Sequence, residues 1–164
     1  MKIYIAGPDI FRPDALNWAE ETRALCAEHG HEALLPMDGD AQTPKEIFHA
    51  NISLLWSADV IIANLNPFRG AEPDSGTCVE VGYALALGKQ VVGYTHSTIP
   101  LIERIKHGDN QPQIKHKKKI FDAEGFAIED FGYPLNLMLA EPVNIVAGGL
   151  REALVAINQT LRIN

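Results

Sequence analysis

Apolar and polar positions along the chain follow two alternating rhythms. Lys2–Ala6 is a short apolar run that stops at Gly7-Pro8, a turn signal, and reads as a first strand. From Pro13 to His29 apolar residues recur at helical spacing, Leu16, Ala19, Leu25 and Cys26 among them, with Gly30 as the stop. Glu32–Leu35 reads as a second strand, closed by Pro36, and a polar turn follows at Asp38-Gly39-Asp40. Thr43-Pro44-Lys45-Glu46 is a helix start: threonine can cap, proline fits the first helical position and glutamate completes a capping box. That helix should reach about Ser57. Asp59–Leu65 is almost wholly apolar, as expected of a central strand covered on both faces. Thr77 to Leu87 reads as a helix ended by Gly88, Gln90–Thr95 as a fourth strand, Val143–Ala147 as a fifth, and Leu150–Ile163 as a closing amphipathic helix. Between His96 and about Glu141 the pattern is poor.

Strand–helix alternation of this kind builds right-handed crossovers, hence a parallel sheet with helices on both faces. The expected fold class is α/β, a single doubly wound, flavodoxin/Rossmann-like domain over 1–164, with a five-stranded parallel sheet in the order 2-1-3-4-5. In that order the ligand crevice lies where the loops after strands 1 and 3 diverge. The unusual residues collect in those two loops. After strand 1 comes Gly7-Pro8-Asp9-Ile10-Phe11, and after strand 3 comes the stretch from Asn66-Pro67-Phe68-Arg69-Gly70 to Asp74-Ser75-Gly76-Thr77. Gly7, Asp9, Phe11 and Phe68 are therefore candidate substrate contacts, the two phenylalanines as walls for a flat ring.

Length and composition narrow the chemistry. At 164 residues, with 46% hydrophobic and 21% charged positions, the chain can bury a core without staples. Its formal charge of −7 argues against nucleic acid or an anionic membrane as partner, since both reward a positive field. The two cysteines, Cys26 and Cys78, cannot form a disulfide framework and read as buried thiols of a reducing compartment. The apolar run at the start is too short for a signal-peptide core, and no stretch approaches the roughly 20 apolar residues of a membrane helix. A cytoplasmic location is the expectation. His29, His31, His49, His96, His107 and His116 show no metal-ligand spacing, and no metal or cofactor is expected. The basic run Lys115-His116-Lys117-Lys118-Lys119 reads as an exposed loop.

The chemistry-bearing run is Asp74-Ser75-Gly76-Thr77-Cys78-Val79-Glu80. With a helix starting at Thr77, Asp74 sits in the loop and Glu80 in the first turn, where the helix N-terminus favours its ionised form. Gly76 lets a ligand approach the backbone. Two carboxylates in different environments at a pocket mouth fit glycosyl chemistry, one attacking the anomeric carbon and the other handling the leaving group's proton. The same spacing has a second reading, because Thr77-x-x-Glu80 is also a capping box in which the glutamate only bonds a backbone N–H.

Taken together, four blocks resemble the nucleoside 2-deoxyribosyltransferase family. They are Ile3–Phe11, Ala58–Leu65, Pro67-Phe68-Arg69-Gly70 with Pro73–Thr77 and Glu80–Lys89, and Asp130–Leu139. They stand in the same order and span about residue 3 to 139. The resemblance implies an enzyme that transfers 2-deoxyribose between nucleobases by double displacement. It implies Glu80 as the nucleophile that forms a covalent deoxyribosyl-enzyme, Asp74 as the acid that exchanges a proton with the base, and Tyr4 as the hydroxyl that orients the nucleophile. Asn136 matches an asparagine that binds the sugar hydroxyls of the neighbouring subunit's substrate, with Met138 beside it. A homo-oligomer, at least a dimer with shared sites, follows. Some members carry an aspartate where Asn51 aligns, and there it touches the base, so Asn51 is a further candidate contact. The expected partners are 2′-deoxynucleosides and free nucleobases.

Cleavage of an N-glycosidic bond passes through a cationic sugar that an adjacent carboxylate stabilises and then captures. A 2′-hydroxyl would withdraw electrons from that cation, so 2′-deoxy sugars are expected. Two other readings compete. One is an N-glycosidase that hydrolyses deoxynucleosides or their 5′-monophosphates through the same intermediate. The other is a non-catalytic nucleotide-sensing module, which would not require both Asp74 and Glu80.

Overall fold

The computed structural model describes residues 1–107, 114–116 and 119–161. Four strands come first in the chain: β1 (Lys2–Ala6), β2 (Glu32–Leu34), β3 (Val60–Asn64) and β4 (Gln90–Thr95). A short antiparallel pair, β5 (Ile114–His116) and β6 (Lys119–Phe121), stands apart from the main sheet, and β7 (Asn144–Ala147) completes that sheet. The main sheet runs β2-β1-β3-β4-β7 with every neighbour parallel. This is the order expected from the alternation, since β7 is the strand read at Val143–Ala147.

Side chains alternate across a strand, so each strand divides its residues between two cores. Ile3, Ile5, Val60, Ile62, Val92 and Tyr94 face α1 (Ala15–Glu28), and the closing helix packs on that same side through Ala153, Leu154 and Ile157. Tyr4, Ala6, Ile61, Ala63 and Val91 face the other way, toward Leu55 of α2 (Pro44–Ser57) and Val81 and Ala84 of α3 (Ser75–Ala86). Register pins the two central strands, with Tyr4 beside Ile61 and Ala6 beside Ala63. Leu55 is fully buried, a contribution of about 1.5–3 kcal/mol. The parity of β1 thus sends Tyr4 to the α2–α3 side.

Helix α2 begins as its sequence dictates. The Thr43 side chain accepts from the Glu46 N–H while Glu46 accepts from the Thr43 N–H, a complete capping box. The start of α3 differs from expectation. It begins at Ser75, two residues early, because Asp74 and not Thr77 is the cap: Asp74 Oδ2 accepts from the Thr77 N–H at 2.9 Å. The weakly patterned stretch also holds order that periodicity does not reveal: α4 (Leu101–His107), the β5–β6 pair and α5 (Leu137–Ala140) precede β7. The basic run is therefore not simply a loop, since Lys115 lies in β5 and Lys119 in β6, while 117 and 118 fall outside the described residues. The closing helix, α6, spans Leu150–Leu161, and Ile163 lies outside the described residues. Cys26 is buried, whereas Cys78 is only partly so, contrary to the expectation of two buried thiols.

Candidate active site

Strand order reverses at β1: its neighbours are β2 and β3, and the loops after β1 and β3 open a crevice at their C-terminal ends. Gly7 opens the first loop. A Cβ there would stand 2.8 Å from Asn64 Cβ and 3.0 Å from Asp9 Oδ2, so only glycine lets the loop turn this close to β3. Asn64 then donates to Asp9 Oδ2 at 2.7 Å and accepts through its own Oδ1 from the Asn66 side chain at 2.7 Å. Asn66 in turn accepts from the His96 N–H at 2.8 Å. Asp9 lies at the crevice but is engaged in this brace. Asn64 and Asn66, which join the ends of three strands, were not singled out by the sequence; the signal was an asparagine closing an otherwise apolar strand.

The α2–α3 side of the crevice holds Glu80. Its Oε1 accepts from Tyr4 Oη at 2.6 Å and from Asn51 Nδ2 at 3.5 Å, bringing together β1, α2 and α3. Tyr4 has no exposed surface. Burial pushes the Glu80 carboxyl up to about 7; the Tyr4 hydrogen bond opposes this and the charge of Asp74 adds to it. The same burial, with the neighbouring Glu80, raises the Tyr4 phenol. Two expectations change here. With α3 starting at Ser75, Glu80 falls in the second turn, beyond the strongest influence of the helix terminus, and burial decides its protonation. The capping-box reading of Thr77 and Glu80 does not hold, since the Thr77 N–H goes to Asp74 and Glu80 pairs with Tyr4.

Asp74 spends Oδ2 on α3, accepting from both the Thr77 N–H and the Thr77 hydroxyl, the latter at 3.1 Å. Gly76 sits directly above it: a Cβ there would lie 3.0 Å from Asp74 Oδ2. Phe11 and Phe68 meet across the two loops, their rings stacked 5.8 Å apart at 18°. Arg69, at φ 54°, lays its guanidinium 4.6 Å from the Phe68 centroid and 5.5 Å from that of Phe11. A flat ring held between two others needs about 3.5 Å on each side, roughly 7 Å in all. The phenylalanines therefore leave no room for a ring between them and form one continuous shelf.

Asn136 and Met138 are not brought to Glu80 within the chain. Asn136 caps α5, accepting from the Met138 N–H at 3.0 Å and donating to Glu129 Oε1 at 2.8 Å. Both residues line a cavity of about 460 Å³ together with Cys78, Val81, Gly82 and Leu85. Those four α3 residues form a stripe at i, i+3, i+4 and i+7, and Glu80, two positions from Cys78, lies roughly 160° round the helix from it. Among the described residues, no group of three or more histidine, cysteine or acidic side chains is placed to hold a metal ion, and no helix is long and apolar enough to cross a membrane.

Known proteins share this fold and sequence pattern. A solved 2-desoxiribosyltransferase from Leishmania mexicana matches with a TM-score of 0.81 and 34% identity, over 96% of this chain and 97% of that one. An uncharacterized protein of Schizosaccharomyces pombe is 30% identical over 155 residues, covering 83% of this chain and 74% of its own. A Thermofilum pendens protein, provisionally named a 2′-deoxynucleoside 5′-phosphate N-hydrolase, is 30% identical over 99 residues, 56% of this chain and 66% of its own. Residues 3–138 match the family described as nucleoside 2-deoxyribosyltransferase. The chain belongs to the nucleoside 2-deoxyribosyltransferase family.

Proposed function

We propose that the protein moves 2-deoxyribose from one nucleobase to another by double displacement, with Glu80 as the nucleophile. The observation that carries this reading is a half-buried carboxyl at the crevice, held through one oxygen by the Tyr4 hydroxyl at 2.6 Å. In its ionised form Glu80 attacks C1′ of a β-nucleoside. The C1′–N bond breaks, its electron pair stays with the base, and Asp74, entering this step as the neutral acid, gives that base the proton carried on Oδ1, the oxygen not spent on Thr77. The incoming base returns a proton to Asp74 and attacks C1′, expelling Glu80 as a carboxylate. Two inversions give back the β configuration.

Gly7, Gly76, Phe11 and Phe68 serve the substrate by shape, Asp9 and Asn51 by hydrogen bonding. Asn136 and Met138 serve a second copy of the chain, because within their own chain they lie beside the α3 stripe that points away from Glu80. The active form is therefore a homo-oligomer, at least a dimer. A second reading is hydrolysis of deoxynucleosides or their 5′-monophosphates through the same intermediate, favoured by the name of the Thermofilum relative. Deoxyinosine mixed with free adenine separates these readings. Deoxyadenosine with hypoxanthine supports transfer, hypoxanthine without a new nucleoside supports hydrolysis, and an unchanged mixture supports a nucleotide-sensing module. Acid quench during turnover should leave a deoxyribosyl mass on the peptide carrying Glu80, and Glu80→Ala should lose at least about 10³ in rate while staying folded. An adduct on another residue would overturn the mechanism.

A further inference from the structure

We infer that Asn51 is a positioning residue for Glu80, which together with Tyr4 fixes Oε1 as the held oxygen and leaves Oε2 to attack. This rests on the reading of Glu80 as nucleophile and goes beyond a contact between Asn51 and the base. Two donors from different elements converge on a single atom: Tyr4 Oη from β1 at 2.6 Å and Asn51 Nδ2 from α2 at 3.5 Å. Neither is paired with Oε2.

The other end of the Asn51 amide shows why this is not ordinary packing. Its Oδ1 is buried and makes no hydrogen bond among the described residues. A residue kept for stability alone would satisfy both ends of its amide, since an unpaired buried acceptor is costly. Here Oδ1 has no partner among the described residues, which leaves it to the substrate, and Nδ2 faces the carboxyl. Were the amide turned over, its oxygen would face Glu80 in place of its nitrogen, a pairing that only the protonated, non-attacking acid could use. As oriented, the amide favours the ionised, attacking form.

The groups bearing on the Glu80 charge come from three elements: the Tyr4 phenol of β1, the Asn51 amide of α2 and the Asp74 carboxylate at the cap of α3. Replacing the neutral amide by a carboxylate of the same shape adds a like charge beside Glu80. Removing the donor without adding a charge perturbs it less. The pH dependence of kcat/KM therefore distinguishes positioning from packing.

The experiment measures base release from deoxyinosine between pH 5 and 9 for the wild type, Asn51→Asp and Asn51→Leu, each checked for folding by its thermal transition. The wild-type acidic limb is expected near pH 7. In Asn51→Asp it should move up by about one unit or more, with most of the rate regained by pH 9, and in Asn51→Leu by less. Should the leucine variant fail to fold, Asn51→Ser takes its place. Folded variants whose limbs coincide with the wild type overturn the inference. Acid-quenched wild type keeps the two claims apart: an adduct on Glu80 with unmoved limbs removes only the role of Asn51, whereas an adduct elsewhere removes the nucleophile itself.

Discussion

A carboxyl group that has given up most of its water pays in stability for its readiness to react. Glu80 titrates near 7 in the folded chain against an ordinary 4.5, chiefly because of burial. The folded state thus binds this proton more tightly than the unfolded state. The contribution of Glu80 is most favourable below about pH 4.5 and is lost as pH rises through about 7. Glu80→Gln keeps an oxygen for Tyr4 without a charge to bury. It should be more stable than the wild type at pH 8, by at most about 3 kcal/mol, and the difference should vanish near pH 4, as read by denaturant unfolding at both values. Tyr4→Phe removes the hydrogen bond that holds the ionised form, so the acidic limb of kcat/KM should move upward and the rate at pH 7 should fall about tenfold or more. The pairing of Tyr4 with Glu80 came from the family resemblance; alternation in β1 by itself says only that Tyr4 faces away from Ile3 and Ile5. The protonation of Glu80 was not legible in the sequence: it depends on depth beneath α2 and α3, which a motif does not encode.

At the scale of elements, the start of α3 ties catalysis to local folding. Asp74 is both the cap and the proposed proton donor, and the two roles separate by substitution. Asparagine caps as well as aspartate, so Asp74→Asn should leave the unfolding free energy within about 0.5 kcal/mol of the wild type while base exchange drops sharply. Asp74→Ala should lose the activity and about 1 kcal/mol as well. Chemical denaturation beside the exchange assay tests both. The sequence misplaced this start by two residues because Asp74 and Thr77 are both good caps three residues apart, and which one wins depends on how the loop after β3 arrives. The capping box of α2 offered no such competition and was legible in full. α5 was invisible for another reason. Four residues cannot display a period, and its first turn is held by a distant carboxylate, with Glu129 accepting from the Asn136 amide and the Leu137 N–H.

At the scale of the whole molecule, the strand order was legible because right-handed crossovers leave few ways to arrange five strands. The crevice between the loops after β1 and β3 followed from that order. The proposed sharing of sites predicts that Glu80→Ala and Asn136→Ala, each inactive alone, regain activity when mixed and allowed to exchange subunits. A dimer would recover at most about a quarter of the wild-type rate, since half the pairs are mixed and each of those has one intact site. Verified mixed oligomers that stay inactive would count against the sharing. The Phe11–Phe68 stack with Arg69 over it bears on traffic through the crevice. If, as proposed, this pair receives the nucleobase, a planar guest would lean on the outside of the stack, and a spent base could slide off and a fresh one settle without prising the rings apart. On that proposal the berth would accept many outlines, and discrimination among bases would rest on the polar atoms along the guest's edge.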